Sequence, residues 1–305
     1  MSKLLVYVDQ NVLGLLAQRA PGLASEPNVQ WVYSKEHFAE IRRSSNPDEY
    51  LTALDKLGAK LIDLELIDWK ITGSAKLIDG PPAFQHYSNY YEALTDVDVN
   101  ENLLDPFQAW VNGGGDEQLL RDLPSHVAEQ ILALTEGLPV EQRSALRDAA
   151  SEVDLTPMIG QMIAWGNDIN KTREAFGDGK GRIGQMAGDS QLKQIWALIE
   201  PASGDITPDQ FFGFDPIDKQ GYETWPTYLG IIGCCAVLDI VGFQAEKKCR
   251  KLEKLANVRS DSGHIAMGAF CSAILSADKR LAKRAKAIYE YKGIGTASLH
   301  LQVAG

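Results

Sequence analysis

Hydrophobic and polar positions follow two different periods at the front of the chain. Leu4 to Val8 is a short apolar run that breaks on Asp9, and helical spacing runs from Asn11 to Ala20. That pattern predicts a buried strand followed at once by a helix. "VQWVYS" (Val29 to Ser34) predicts a second strand, and "KEHFAEIRR" a helix entered through Ser34 as its N-cap. "EYLTALDKLG" has apolar residues at helical spacing and stops at Gly58, after which "AKLIDLELI" returns to a strand pattern. Strands alternating with helices predict an α/β fold with a mainly parallel sheet.

The pattern changes after residue 75. From Ala75 to Trp225 the segments read as helix or loop, punctuated by "DGPPAF", "NGGGDE" and the long "PASGDITPDQFFGFDP". The last part resumes the opening pattern. "TYLGIIGCCAVLDIVGFQAEKK" predicts an apolar helix in which Asp239 is buried and hydrogen-bonded. "SDSGHIAMGAFC" predicts a helix capped by Ser260, with Asp261 in its first turn. "SAILSAD" predicts a short strand ending on Asp278, "KRLAKRAKAIYEY" a basic amphipathic helix, and "TASLHLQV" a closing strand. The expected organisation is one α/β domain formed by residues 1–75 and 226–305, interrupted by a helical, acidic insertion over 76–225. An insertion of that size is domain-scale.

Composition narrows the class. Of the residues, 45% are hydrophobic and 23% charged, enough to bury a core and to exclude a globally disordered chain. The apolar stretch Leu229 to Val241 is too short for a bilayer and contains Asp239. No basic-plus-apolar leader is read at the front. Cys234, Cys235, Cys249 and Cys271 form no C-x-x-C pair, so neither a disulfide framework nor a zinc knuckle is expected. A soluble, reduced, cytoplasmic protein without membrane contact is the expectation.

The net charge of −11 argues against nucleic acid until its distribution is considered. Glu246 to Lys292 holds twelve Lys/Arg against five Asp/Glu, whereas Ala75 to Trp225 holds ten against twenty-five. A phosphate-facing surface is therefore compatible with the basic block, as are two solvated helix faces. Lys279, Arg280, Lys283 and Arg284 follow Asp278 directly. They are candidates for holding flanking phosphates, with Leu281, Ala285 and Ile288 packing inward.

Open α/β sheets bind ligands at the carboxyl ends of their strands. Asp9 and Asp278 stand there, Asp261 opens the helix before the last carboxylate, and Glu40 lies on the second helix three residues after His37. Each acid alone has a structural reading. Asp9 and Asp278 would cap helices, Asp261 would answer a helix dipole, and Glu40 would pair with Arg43. Gathered into one cleft, they would require a cation, and all-oxygen ligands suit Mg²⁺ or Mn²⁺. His264, three residues after Asp261, can face the same cleft.

The order of these motifs resembles the PIN-domain nucleases, in a PIN-like form that carries an insertion. The matching residues are Asp9-Gln10-Asn11 after the first strand, Glu40 in "EHFAEI", Asp261 in "SDSGHIAMGAFC", and Ser276-Ala277-Asp278 with its basic helix. They cover about the first 45 and last 50 residues. The resemblance implies a three-layer α/β fold and a metal-dependent nuclease, most often acting on RNA. Asp9, Glu40, Asp261 and Asp278 would hold the ions, with Asn11 and Ser276 as polar supports. Gln10 is bulkier than the residue usual at its position, and the insertion is foreign to compact members. The insertion would close over the site, bind a protein partner or a second copy, or narrow the substrate range.

Two rivals belong to other classes. A phosphatase would use Asp9 as a covalent nucleophile, but haloacid-dehalogenase-type enzymes want a second Asp where Asn11 stands. A non-catalytic module would bind a partner through the insertion. "GKGRIG" (Gly179 to Gly184) matches a dinucleotide-binding pattern literally, but helix rather than strand precedes it.

Overall fold

A computed structural model describes residues 3–19, 27–94, 105–134, 138–152, 154–176, 183–184, 186–245 and 251–302. The chain opens with β1 (Leu4–Val8), α1 (Gln10–Arg19), β2 (Val29–Tyr33), α2 (Lys35–Arg43), α3 (Pro47–Lys56), β3 (Lys60–Ile67) and β4 (Lys70–Ile78). Helices α4 (Ala83–Leu94), α5 (Asp105–Val111), α6 (Glu117–Arg121), α7 (Leu123–Leu134), α8 (Val140–Glu152) and α9 (Thr156–Phe176) follow. The remainder is α10 (Gln191–Ile199), α11 (Pro208–Phe211), α12 (Thr227–Val241), α13 (Leu252–Gly268), β5 (Ala273–Ser276), α14 (Lys279–Lys292) and β6 (Ala297–His300).

The six strands form one sheet in the order β4-β3-β2-β1-β5-β6, parallel throughout except for the antiparallel β3–β4 pair. Side chains alternate across it as the strand period requires. Tyr7, Val32, Ile62 and Ile274 join the core beneath α10, α12, α13 and α14. Val8, Trp31, Tyr33 and Leu61 face the opposite side, with α1 and α3 over them. The arrangement is thus three layers, helices on both faces of the sheet.

The chain lays down β1, β2 and β3 in one direction and then places β5 and β6 on the other side of β1. The order therefore reverses between β1 and β5. At such a switch point the connecting loops diverge and leave a crevice outside the carboxyl ends of the strands.

Three expectations are corrected. The boundary after residue 75 falls inside β4, which returns from β3 through a two-residue turn at Asp68 and Trp69 (φ +49° and +63°). Asp68 tolerates that conformation, but Trp69 stands where glycine is usual, so the hairpin lacks the common Asx-Gly signature. The acidic segment also does not form one separate unit. Leu192, Ile195, Ile199, Phe212 and Phe214 are built into the main core, whereas Leu120, Leu123, Ile159 and Ile163 form a small cluster of their own. Finally, the helix predicted from Thr227 ends at Val241, because Gly242 turns left-handed (φ +81°). Cys234, Cys235 and Cys271 are buried free thiols, while Cys249 and most of "GKGRIG" lie outside the described residues. No helix among the described residues is long and apolar enough to cross a membrane.

Candidate functional site

A cleft of about 370 Å³ opens at the β1/β5 switch point. Asp9, Glu40, Asp261 and Asp278 line it together, with Asn11 and His264. Residues separated by up to 269 positions in sequence meet there because β1 and β5 are neighbours.

Asp9 is both a cap and a cleft residue. Its Oδ1 accepts the Val12 N–H at 2.8 Å, closing the first turn of α1, and its Oδ2 accepts the Ser276 hydroxyl in a short hydrogen bond. Only 1% exposed, it is pushed above the ordinary carboxylate range by burial, against the pull of Ser276 and Val12. Ser276 Oγ also accepts the Asp278 N–H at 2.9 Å, so a single hydroxyl ties both strand-end acids together. Asp278 in turn caps α14 through the N–H groups of Arg280 (2.6 Å) and Leu281 (3.3 Å). Burial opposes its ionisation, but Arg280's side chain and backbone donors hold it below the usual range.

The structure moves Asp261 away from the helix start. Ser260 is not a cap, because α13 begins at Leu252, and its Oγ instead accepts from Arg43 at 3.4 Å. Asp261 sits mid-helix with Asn257 and His264 at spacings of four and three, one face of α13 turned to the cleft. The dipole explanation for Asp261 therefore fails, since that field is confined to the first turn. Burial lifts its carboxyl to about 7, against the attraction of His264.

Helix α2 supplies the opposite wall. Ser34 caps it, its Oγ accepting the Glu36 N–H, while His37 Nδ1 accepts the Ser34 N–H at 3.2 Å. His37 Nε2 must then carry the proton, and it donates to the Val8 carbonyl at 2.7 Å. Burial, then the charge of His264, lowers His37 to about 3, so this ring is a neutral strut between β1 and α2. Glu40 lies one turn on, 3.5 Å from His264 Nε2. Burial resists its ionisation, but His264 outweighs that and draws it below the usual range. His264 itself is penalised by burial, yet the facing carboxylates, Glu40 first, raise it to about 9.

Of the proposed phosphate-binding cations, Arg280 alone lines the cleft; Lys279 and Lys283 are exposed and do not. Arg284 is a correction. It is 5% exposed and clasps Asp239 of α12 at 2.9 and 3.2 Å, so its charge is committed to the core rather than to the cleft. The residue shares the helix with the solvent-facing lysines but falls on its inner stripe, beside Leu281, Ala285 and Ile288. Ser44, Tyr50 and Asn257 also line the cleft, as does Arg43, which sequence reading offered only as a partner for Glu40; Asn257 shares helical spacing with Asp261, and Tyr50 comes from α3 with no signal. Gln10 lines it too, with Oε1 buried and unpartnered. Glu36, a fifth carboxylate missed from sequence, lies behind the acids, accepts from Tyr228 at 3.1 Å and is raised mainly by burial.

The donor chemistry suits a hard divalent cation, because the four carboxylates face one cleft and burial leaves two of them reluctant to ionise unaided. Among the described residues no three acids or histidines converge closely enough to grip one ion as the side chains stand.

The fold and site define a three-layer α/β protein with an acidic cleft at its topological switch point. Compared with known protein families, curated proteins and solved structures, the chain matches none.

Proposed function

We propose that the protein is a PIN-like, metal-dependent endoribonuclease that hydrolyses phosphodiester bonds of cytoplasmic RNA with Mg²⁺ or Mn²⁺ held by Asp9, Glu40, Asp261 and Asp278. The observation that supports this reading is that these four acids, selected by their order along the chain, line a single cleft flanked by Arg43 and Arg280. When bound, the cations would activate a water for in-line attack and stabilise the leaving oxygen. Ser276 holds Asp9 and Asp278 at the strand ends, and Asn11 stands at the mouth. Arg43 and Arg280, which line the same cleft, would hold flanking phosphates, a role in which guanidinium geometry is favourable.

The test is incubation of mixed RNA with purified protein, with and without Mn²⁺, followed by sequencing of the cleaved ends. Asp9→Asn and Asp278→Asn should abolish cleavage while remaining folded. Undiminished cleavage by both variants would remove the metal roles. A phosphoenzyme trapped on Asp9 would favour the phosphatase reading. A second reading, a non-catalytic module, is favoured by the internal compensation of the acids, Asp278 by Arg280 and Glu40 by His264. Absence of divalent-ion binding by calorimetry would select it.

A further inference from the structure

His264 lines the cleft and is 1% exposed, yet its Nε2 makes no hydrogen bond. Glu40 Oε2, at 3.5 Å, lies beyond a good hydrogen bond. The other ring nitrogen is firmly held: Nδ1 is 2.7 Å from Tyr7 Oη, which is 2.7 Å from Ser34 Oγ. Tyr7 and Ser34 are themselves buried, so the imidazole cannot swing without breaking a chain of two hydrogen bonds.

That chain decides what the free nitrogen offers. If Ser34 donates to Tyr7 and Tyr7 donates to Nδ1, then Nε2 carries the ring proton. That order leaves an N–H on Nε2, the ring edge that faces Glu40 in the cleft lining. A buried donor without a hydrogen bond is costly, and the 3.5 Å ion pair with Glu40 leaves this one open to an oxygen acceptor at closer range.

We propose that His264 Nε2–H donates to a non-bridging oxygen of the scissile phosphate and fixes its orientation over the acids, with Tyr7 and Ser34 as positioning residues. This rests on the phosphodiester reading above. Arg43 and Arg280, the more exposed cations of the lining, would hold the backbone; His264, buried in the same lining, would aim the reacting group. No other orphaned donor of the described cleft residues is as deeply buried.

The experiment compares wild type, His264→Gln, His264→Leu and Tyr7→Phe in steady-state cleavage of a labelled RNA oligonucleotide with Mn²⁺. Glutamine places an amide N–H near the position of Nε2, whereas leucine removes the donor. His264→Leu should lose roughly 10²–10³-fold in kcat with KM nearly unchanged, the usual cost of one preorganised donor. His264→Gln should recover at least tenfold of that, and Tyr7→Phe, which deletes a single hydroxyl, should fall between them. A second readout needs no turnover. In Asp9→Asn protein, the His264 Nε2–H proton resonance should shift on adding the RNA and stay put with the same oligomer built on a neutral methylphosphonate backbone.

Cleavage by folded His264→Leu within threefold of wild type would overturn the proposal, as would an equal loss in His264→Gln and His264→Leu. Should His264→Leu fail to fold, wild-type kcat in Tyr7→Phe together with an unmoved resonance would overturn it. An RNA-dependent shift without any Asp9-dependent cleavage would support the phosphate contact and discard the nuclease reading instead.

Discussion

Arg284→Met separates a structural arginine from its phosphate-binding neighbours. Its guanidinium makes two hydrogen bonds to Asp239 and a third, at 2.5 Å, to the Cys235 carbonyl, joining α14 to α12. Both side chains are nearly sealed, at 6% and 3% exposure, so solvent screening does not soften the pair. Removing the cation leaves a carboxylate stranded in the core, which costs about 3–5 kcal/mol. The orphaned carbonyl adds roughly 1 kcal/mol more. At about 2–4 °C per kcal/mol for chains of a few hundred residues, the melting midpoint falls by roughly 6 °C or more. Lys283→Met, one residue earlier but exposed, should change stability by less than about 0.5 kcal/mol. The double variant Arg284→Met/Asp239→Leu should regain most of the loss, since replacing a whole buried pair with apolar groups is near neutral. Urea unfolding and thermal melts measure these differences, with RNA binding by fluorescence anisotropy scored on the folded fraction. Equal stability of Arg284→Met and Lys283→Met would refute the assignment, and so would intact stability accompanied by lost RNA binding.

Ser276→Ala should weaken Mn²⁺ affinity about 10–100-fold, because it frees the Asp9 carboxylate and loosens the Asp278 backbone; calorimetry that finds unchanged affinity would deny Ser276 its orienting role. Gly263→Ala should destabilise by roughly 1–3 kcal/mol, since a Cβ there lies 2.4 Å from Glu36 Cδ, and Glu36 is pinned by Tyr228. Denaturant midpoints within error of wild type would show that Glu36 moves aside freely. Metal-free stability should also depend on pH through Asp261. Burial lifts its folded-state carboxyl to about 7 from 3.8, so between those values the folded chain binds more protons at this site than the unfolded one. Its contribution is therefore fully favourable below pH 4 and declines as pH rises towards 7. Urea titrations in chelator should show wild type losing stability relative to Asp261→Asn across that window, and a constant difference would remove the burial argument.

The local sequence determined a good deal of this molecule. The apolar run ending at Val8, the Ser34 cap, the stop at Gly58 and the short strand before Asp278 are decided by period and capping chemistry within a few residues. The acids at the strand ends were legible for the same reason, as polar residues at the seam between two periods. Other features depend on distant partners. The β3–β4 hairpin turns on Asp68 and Trp69, which lack the common Asx-Gly signature. Ser260 has a capping side chain, yet the helix runs through it from Leu252, because packing against α2 and α12 outweighs one residue's preference. Nothing local distinguishes Arg284 from Lys283; only the position of Asp239, 45 residues earlier on α12, makes one a core ion pair and the other a surface charge. The cleft itself belongs to the same class of fact. Residue order proposed which acids could meet, and the reversal of strand order at β1 brought them into one cavity, with His264 held in the same lining by a tyrosine from the central strand.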